Sequence, residues 1–353
     1  MATFCGKVPC TKGDDMKKKL LFIIPFLITA IVIALCFMNT GEGGTVKAKR
    51  TQEIRYRYAS KEEGVKLMLS NKEYYDGFSQ NDIDYKMQKK DTTMEEYQAF
   101  AKEQVEDFTD EEKELLDGYF SRMNQILVDN GYYLPKMDEI IMIKTTMKEE
   151  PGAGAYTHGT QIYFGSMIIE GALSDDKDTK ERCNEYLRVV LWHELFHCLT
   201  RCNPDFREDM YKLIHFEVVA DDYKLPPSVE EYHISNPDVE HHNSFATFHI
   251  NGQDIKCFTD FVTTKHFEND GDSFFDYGTT ALIPIDGTDT YYTPEQADNF
   301  NEVFGTNTGY VIDPEECMAD NFSFAMAYGR EGEDGKGYPN PEIIEGILDY
   351  VSK

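Results

Sequence analysis

The sequence has few basic residues. Of its 353 residues, 35 are Lys or Arg and 64 are Asp or Glu, so the formal net charge is −29 with neutral histidines. Nothing in such a chain pairs broadly with phosphate, so we exclude a nucleic-acid partner. The same balance argues against a surface that adheres to anionic lipid. The sequence also has no CxxC pair, so a cysteine-based zinc site has no support.

Apolar residues are plentiful throughout the chain, and one segment consists almost entirely of them. Hydrophobic residues make up 41% of the sequence, and the length fits one large domain or two ordinary ones, so most of the chain should fold. Residues 20–38 are different, because only Pro25 and Thr29 interrupt their apolar run. A helix of this length reaches about 28 Å, close to the hydrocarbon thickness of a bilayer.

The charges around this apolar run predict its orientation. Three lysines, residues 17–19, precede it directly, and the next basic residue after it is Lys47. The positive-inside rule therefore places the N-terminus in the cytoplasm and the large C-terminal part outside. A single-pass anchor in the cell membrane is favoured, and a cleaved secretory signal or a lipoprotein modified at Cys36 are the alternatives. Each of them puts the rest of the chain outside the cytoplasm.

The exported part contains signals for both helices and strands, which predicts an α+β fold. Thr109 and Glu112 form a capping box before an amphipathic helix, and Asp313-Pro314 marks the start of a late helix. Strands are expected over residues 139–147 and 155–164, and a helix over residues 183–200. Residues 225–312 show no clear period, so loops and small strands are expected there.

The chemistry is indicated by a HExxH motif on the predicted helix 183–200. His193 and His197 lie one helical turn apart, so both imidazoles can face one ion. Zinc accepts three protein ligands and leaves a fourth position open to water. Glu194 can reach that water and act as general base.

Two glutamates compete to be the third zinc ligand. Glu217 lies 20 residues after His197, with Asp221 four residues further on, a spacing that is found in thermolysin-like enzymes. Glu316 lies 119 residues after His197, and Asp320 follows it by one helical turn, where its carboxylate can hold the outer nitrogen of a ligand histidine. We favour Glu316 because its helix has a clear start signal and its first turn suits a carboxylate.

These two motifs resemble the gluzincin metallopeptidases. The segment Pro314-Glu315-Glu316-x-x-Ala319-Asp320-x-Phe322 is similar to the glutamate helix of the branch that includes the anthrax lethal factor protease domain. The likeness covers residues 138–326, about half of the chain. It implies Zn²⁺ as cofactor, with His193, His197 and Glu316 as its ligands. It also implies Glu194 as the general base and Asp320 as the carboxylate that holds the outer nitrogen of a ligand histidine. It also implies that residues 155–164 form the edge strand on the substrate side.

The resemblance departs from the family at the residue that stabilises the oxyanion. Relatives of this branch have a tyrosine seven residues before the ligand glutamate, where this sequence has Gly309 and then Tyr310. Tyr310 is our candidate for that role. The spacing between His197 and Glu316 is also long for the family, which indicates an insertion within residues 225–300. Five histidines at 215, 233, 241, 242 and 249 are weaker candidates near the oxyanion.

The sequence thus predicts a zincin-like catalytic domain behind a single N-terminal membrane or signal helix. We expect a cytoplasmic tail and membrane helix at 1–38, a linker at 39–54, a helical region at 55–135 and the catalytic domain at 136–353. The predicted function is a membrane-anchored, extracytoplasmic zinc endopeptidase that acts on polypeptides. The main alternative is a catalytically inactive zincin-fold surface binding protein. A deformylase-like amide hydrolase is less favoured, because its E-G-C motif is absent.

Overall fold

The computed structural model describes residues 49–353, so the predicted membrane segment 20–38 lies outside the described residues. No helix within residues 49–353 has the length and apolar character needed to span a bilayer. The described residues form one unit of mixed α and β structure, which confirms the predicted α+β class.

A mixed sheet of five strands forms the floor below the HExxH helix. Its main path runs β2-β5-β7-β6, and β3 pairs with the end of β5. β2, β5 and β7 are parallel, whereas β6 is antiparallel to β7 and forms an edge. The five strands are β2 (Tyr56–Tyr58), β3 (Val105–Glu106), β5 (Ile140–Thr145), β6 (Ala155–His158) and β7 (Gln161–Gly165).

The predicted single strand over residues 155–164 is a hairpin in the structure. Its turn contains Gly159, whose φ of +58° lies in the left-handed region that glycine adopts without strain. The turn reverses the chain between β6 and β7, so only β6 lies at the edge. The predicted strand over residues 139–147 is confirmed as β5.

The described residues contain thirteen α-helices, some of which pack on the two faces of this sheet. Their bounds are α1 (Lys61–Met68), α2 (Lys72–Asp76), α3 (Gln80–Met87), α4 (Met94–Gln104), α5 (Asp110–Asn130), α6 (Ser166–Leu173), α7 (Lys177–Cys202), α8 (Pro204–Lys212), α9 (Pro227–Glu230), α10 (Phe274–Tyr277), α11 (Phe300–Phe304), α12 (Pro314–Tyr328) and α13 (Pro341–Val351). The predicted helix 183–200 is confirmed as part of α7, and the predicted starts of α5 and α12 are confirmed by their capping residues Thr109 and Asp313.

Alternation along the strands of this sheet separates two hydrophobic cores that lie on its opposite faces. Ile162 and Phe164 of β7 face the large core that also contains Trp192 and Leu195 of α7 and Phe322 of α12. Tyr163, between them, faces a second core on the opposite side of the sheet, built mainly by α1 to α4. The same alternation in β6 turns Thr157 toward α7, which decides what lies beside the HExxH motif.

The region before residue 136 belongs to the same fold as the region after it. β2 pairs with β5, and Leu116 of α5 lies in the large core together with Trp192. The described end of the predicted linker 39–54 also belongs to the fold, because β1 (Arg50–Thr51) pairs with β4 (Leu134–Pro135). The predicted boundary at 135/136 therefore runs through a shared sheet and a shared core.

Residues 225–312 are more regular than the sequence predicted. They supply most of a four-stranded antiparallel sheet in the order β11-β10-β9-β8. Its strands are β8 (Glu217–Val218), β9 (Ser244–Ile250), β10 (Gln253–Thr263) and β11 (Gly278–Pro284). Asn, Asp and Thr residues interrupt the alternation of apolar and polar residues that would have predicted these strands. In the structure each strand is stabilised by pairing with its neighbours. This second sheet places residues 232–240 beside the HExxH helix.

Candidate metal centre

The HExxH helix α7 presents two imidazoles to one point. His197 is fully buried and the centroids of the His193 and His197 rings are 4.8 Å apart. The helix is long because Asp176 caps its first turn and the chain does not break until Asn203, just before Pro204. Leu191, Trp192, Leu195 and Phe196 are buried around the motif, so the helix is held from several sides.

Helix α12 brings Glu316 to the same point. The side chain of Asp313 accepts a hydrogen bond from the backbone N–H of Glu316 at 2.9 Å, which fixes the first turn of this helix. Oε2 of Glu316 then lies 2.9 Å from Nε2 of His193 and 3.6 Å from Nε2 of His197. Tetrahedral zinc ligands with bonds of 2.0–2.2 Å are separated by about 3.3–3.6 Å. The second distance has this spacing and the first is shorter, and each of the three residues offers a ligand atom within 4.8 Å of the other two.

The outer nitrogens of both histidines contact carboxylates. Nδ1 of His193 lies 2.9 Å from Oδ1 of Asp320, and Nδ1 of His197 lies 3.0 Å from Oε1 of Glu315. A proton on each Nδ1 is thereby favoured, which leaves the Nε2 lone pairs directed at the shared point. Nε2 of His197 is buried and has no hydrogen-bond partner among the described residues. An unpaired buried nitrogen beside a carboxylate fits a metal ligand.

Glu315 is itself held by a dense set of donors. Its Oε1 accepts a hydrogen bond from Thr200 at 2.6 Å, and Tyr211 donates to its Oε2. Two arginines of α7 and α8, Arg201 and Arg207, lie within 4.0 Å. Burial opposes ionisation of Glu315, but His197 and these arginines keep its pKa below the usual value. The carboxylate that orients His197 is therefore charged.

Glu194 lies beside the three converging ligand atoms but is not itself one of the three proposed ligands. Its side chain is buried, and Thr157 of β6 donates a hydrogen bond to its Oε2 at 2.7 Å. Burial raises the pKa of Glu194, and the two histidines and Thr157 partly counteract that rise. A carboxyl with a raised pKa is suited to accept and return a proton near neutral pH.

The site attracts positive charge. Burial alone would lower the pKa of His193, but hydrogen bonds to Asp320 and Glu316 raise it well above its usual value. Burial would raise the pKa of Glu316, yet its contacts with the two histidines keep that pKa low. The carboxylates of Glu316 and Asp320 in α12 thus stabilise a cation at this point, whether it is a protonated imidazole or a metal ion.

Tyr310 lies at the same centre. Its hydroxyl is 3.4 Å from Oε1 of Glu316, and its ring centroid is 6.3 Å from that of His193. Tyr310, His193 and Glu194 line a cleft of about 330 Å³, which also reaches Tyr186 and Phe275. The sequence prediction for Tyr310 is therefore compatible with its location, although the residue is one position later than in the family pattern.

The structure does not bring Glu217 to this point. Glu217 is an exposed residue of the two-residue strand β8, whereas His197 is fully buried. The weaker histidine candidates are also occupied elsewhere or exposed. Among them, Nδ1 of His233 contacts Asp260 at 2.7 Å, His242 lies 3.4 Å from the same carboxylate, and His241 pairs with Asp222 at the surface.

Sequence reasoning missed several residues of the site. Glu315 is adjacent to Glu316, and its position in the same first turn was the available signal. Thr157, Asn236 and Asp238 carried no signal, because they reach the centre from distant segments. Asn236 donates to Oε1 of Glu316 at 2.6 Å, and Oδ1 of Asp238 lies 4.0 Å from Nε2 of His197.

Comparisons of the chain with models of protein families, with curated proteins and with solved structures found no match.

Proposed function

We propose that the protein is a zinc-dependent endopeptidase of the gluzincin type. One observation carries the proposal: Nε2 of His193, Nε2 of His197 and Oε2 of Glu316 converge on one buried point, with Glu194 beside them. His193, His197 and Glu316 would hold the ion. Zinc, when bound there, supplies a Lewis acid that polarises the scissile carbonyl and acidifies water.

The chain's own groups account for the remaining chemistry. Glu194 takes the proton of the attacking water and passes it to the leaving amine. Thr157 holds the Glu194 carboxylate in place through their 2.7 Å hydrogen bond. The hydroxyl of Tyr310 donates to the oxyanion that develops on the substrate carbonyl. The edge strand β6 offers main-chain groups to an extended polypeptide, the β-augmentation mode of binding.

The zincin-like fold and the location belong to the same proposal. A sheet with an antiparallel edge strand, a HExxH helix packed on it and a second helix that delivers the glutamate support a zincin-like arrangement. The apolar run 20–38 and the lysines before it support a single-pass anchor in the cell membrane, or a secretory signal, with the catalytic part outside the cytoplasm. That run lies outside the described residues.

The decisive test is the zinc content and peptidase activity of the purified full-length protein. We expect one zinc per chain in the wild type and in Glu194→Gln, and a large loss of zinc in Glu316→Gln. Glu217→Gln is the matched control, because it removes the alternative carboxylate from an exposed strand. We expect Glu194→Gln to reduce cleavage of a peptide library by about 10²–10⁴-fold.

The outcomes separate the possible sites. Zinc retained in Glu316→Gln and lost in Glu217→Gln would move the third ligand to the other carboxylate. Absence of zinc in the wild type would overturn the proposal.

A surface binding protein that keeps the zincin fold is the second candidate. The observation in its favour is that the N–H of Thr157 in β6 and the N–H of Gly159 in the turn after it already donate to side chains of the same chain. A protein of this kind would bind zinc and still cleave no member of the peptide library. Its partner binding would be identical in the wild type and in Glu194→Gln.

A further inference from the structure

The edge strand β6 is covered by residues 235–240. The backbone N–H of Thr157 donates to Oδ1 of Asp238 at 2.6 Å, and the N–H of Gly159 donates to Oε1 of Glu240 at 2.9 Å. Thr157 and Gly159 are two residues apart, as are Asp238 and Glu240, so the two segments run alongside each other with matched spacing. A bound peptide would satisfy these N–H groups with its own carbonyl oxygens.

Asp238 also lies close to His197, one of the three proposed metal ligands. Its side chain is buried, and Oδ1 lies 4.0 Å from Nε2 of His197, the nitrogen that has no hydrogen-bond partner among the described residues. Asp238, His197 and Glu194 each offer an atom within 4.8 Å of the others. A carboxylate in the fourth position gives a closed tetrahedral site, whereas catalytic zinc sites keep that position open.

Residues 235–240 are firmly held at their beginning. The N–H of Ser235 donates to Oδ2 of Asp82 at 2.9 Å, and the ammonium of Lys86 donates to the carbonyl of Ser235 at 3.1 Å. Asp82 and Lys86 are buried residues of α3. Just before this point the N–H of Ile234 pairs with the carbonyl of Phe261 in β10 at 3.1 Å. The start of the segment is therefore part of the fold.

The remaining residues of the segment, 236–240, are attached to their surroundings through hydrogen bonds and ion pairs that involve side chains. Asn236 donates to Glu316, and Arg201 of α7 donates to the carbonyl of Asp238 at 2.6 Å. Arg201 also pairs with Glu240 at 2.9 Å. No backbone-to-backbone hydrogen bond joins residues 236–240 to β6 among those of the described residues. This part can leave β6 without disrupting either sheet.

We propose that residues 235–240 are a built-in occupant of the substrate groove, in which Asp238 is a fourth ligand of the metal. The inference rests on the proposed function, because it requires a metal at His193, His197 and Glu316. The segment contacts Thr157 and Gly159 through the side-chain carboxylates of Asp238 and Glu240. It therefore occupies the substrate groove without placing one of its own peptide bonds at the metal. An extended substrate binds along β6 only after residues 236–240 have moved away.

The test measures access to the metal in the full-length protein loaded with cobalt(II), whose visible spectrum reports its ligands. Acetohydroxamate, a small chelating anion, is titrated into the wild type, Asp238→Asn and the control Asp222→Asn, which alters an exposed aspartate. Asp238→Asn keeps an oxygen that can accept from Thr157. We expect it to change the spectrum and to bind acetohydroxamate about tenfold more tightly, since the site no longer has to open first.

A second variant addresses the groove separately from the metal. Glu240→Gln removes the charge that pairs with Arg201, and Glu240 is exposed, so the fold should tolerate the change. We expect Glu240→Gln to have the same cobalt spectrum as the wild type and to bind an extended, uncleavable peptide more tightly than the wild type does. Equal acetohydroxamate affinity in Asp238→Asn and the wild type, with unchanged peptide affinity in Glu240→Gln, would overturn the inference. A wild type that binds neither cobalt nor zinc would instead overturn the proposed function.

Discussion

Nδ1 of His197 lies 3.0 Å from Oε1 of Glu315, the residue directly before the proposed ligand Glu316. Two neighbouring glutamates of one helical turn therefore lie near the two different ring nitrogens of His197. Glu315 orients the outer nitrogen of His197, while Glu316 approaches the inner nitrogens of both histidines. The buried charge of Glu315 is balanced by Arg201 and Arg207. The local sequence Asp-Pro-Glu-Glu thus supplies a cap, a positioning residue and a ligand.

Glu315→Gln should weaken zinc binding although it does not remove a ligand. The amide cannot accept the Nδ1 proton of His197 as strongly, so the orientation of the ligand nitrogen is less well defined. We expect the zinc dissociation constant to rise by about 10–100-fold, measured by competition with a chelator. The exposed Glu302→Gln is the control and should leave the constant unchanged. Equal zinc affinity in Glu315→Gln and the wild type would show that this contact does not position the histidine.

Tyr310→Phe should separate catalysis from substrate binding. The phenol oxygen lies 3.4 Å from Glu316 and is available to an oxyanion at the same centre. Its loss should lower kcat by about 10²–10³-fold with little change in KM or in zinc content. Tyr291→Phe, outside the metal centre, is the control. If kcat is retained in Tyr310→Phe, the oxyanion is stabilised by another group, and Asn236 would be examined next.

His158 should make stability depend on pH. Burial, together with the charges of Arg201 and Lys86, lowers its pKa from 6.5 to about 3. Between these values the unfolded chain binds a proton and the native protein does not, so the free energy of unfolding decreases as the pH falls from 6.5 toward 3. One group contributes a slope of at most about 1.4 kcal/mol per pH unit.

The variant His158→Phe should lose this contribution to the slope. Denaturant unfolding of the wild type and the variant at several pH values between 4 and 7 measures the difference directly. The comparison uses slopes because the larger phenyl ring will also change stability at every pH. Parallel curves for the two proteins would contradict the lowered pKa of His158.

Leu116→Ala should destabilise the whole described unit. Leu116 is 0% exposed and lies in the core that also contains Trp192 beside the HExxH motif. We expect a loss of about 2–5 kcal/mol in the free energy of unfolding. Val128→Ala, in the same helix with 58% exposure, should change it little. Spectroscopic signals from Trp192 and from overall helicity should shift together. Unfolding of residues 55–135 in a separate, earlier transition would restore the domain boundary expected from the sequence.

Much of the fold was predictable where the signal is local. The starts of α5 and α12 follow from Thr109 and Asp313, because a cap acts within one helical turn. The strand β5 and the helix α7 follow from their apolar patterns. The hairpin of β6 and β7 and the four-stranded sheet did not follow, because Gly159 is compatible with a strand or a turn, and β9 and β10 contain many polar residues.

The sequence by itself determined the chemistry of the candidate site: His193, Glu194 and His197 share one helical turn, and Glu316 and Asp320 share another. Helical spacing places such residues on one face wherever the helix lies. Only the tertiary structure decided that Glu316 rather than Glu217 meets the histidines, and that Thr157 and Asp238 join them. Thr157 and Asp238 are 81 residues apart in sequence. Contacts of this kind depend on how two sheets pack against one helix, which no local pattern specifies.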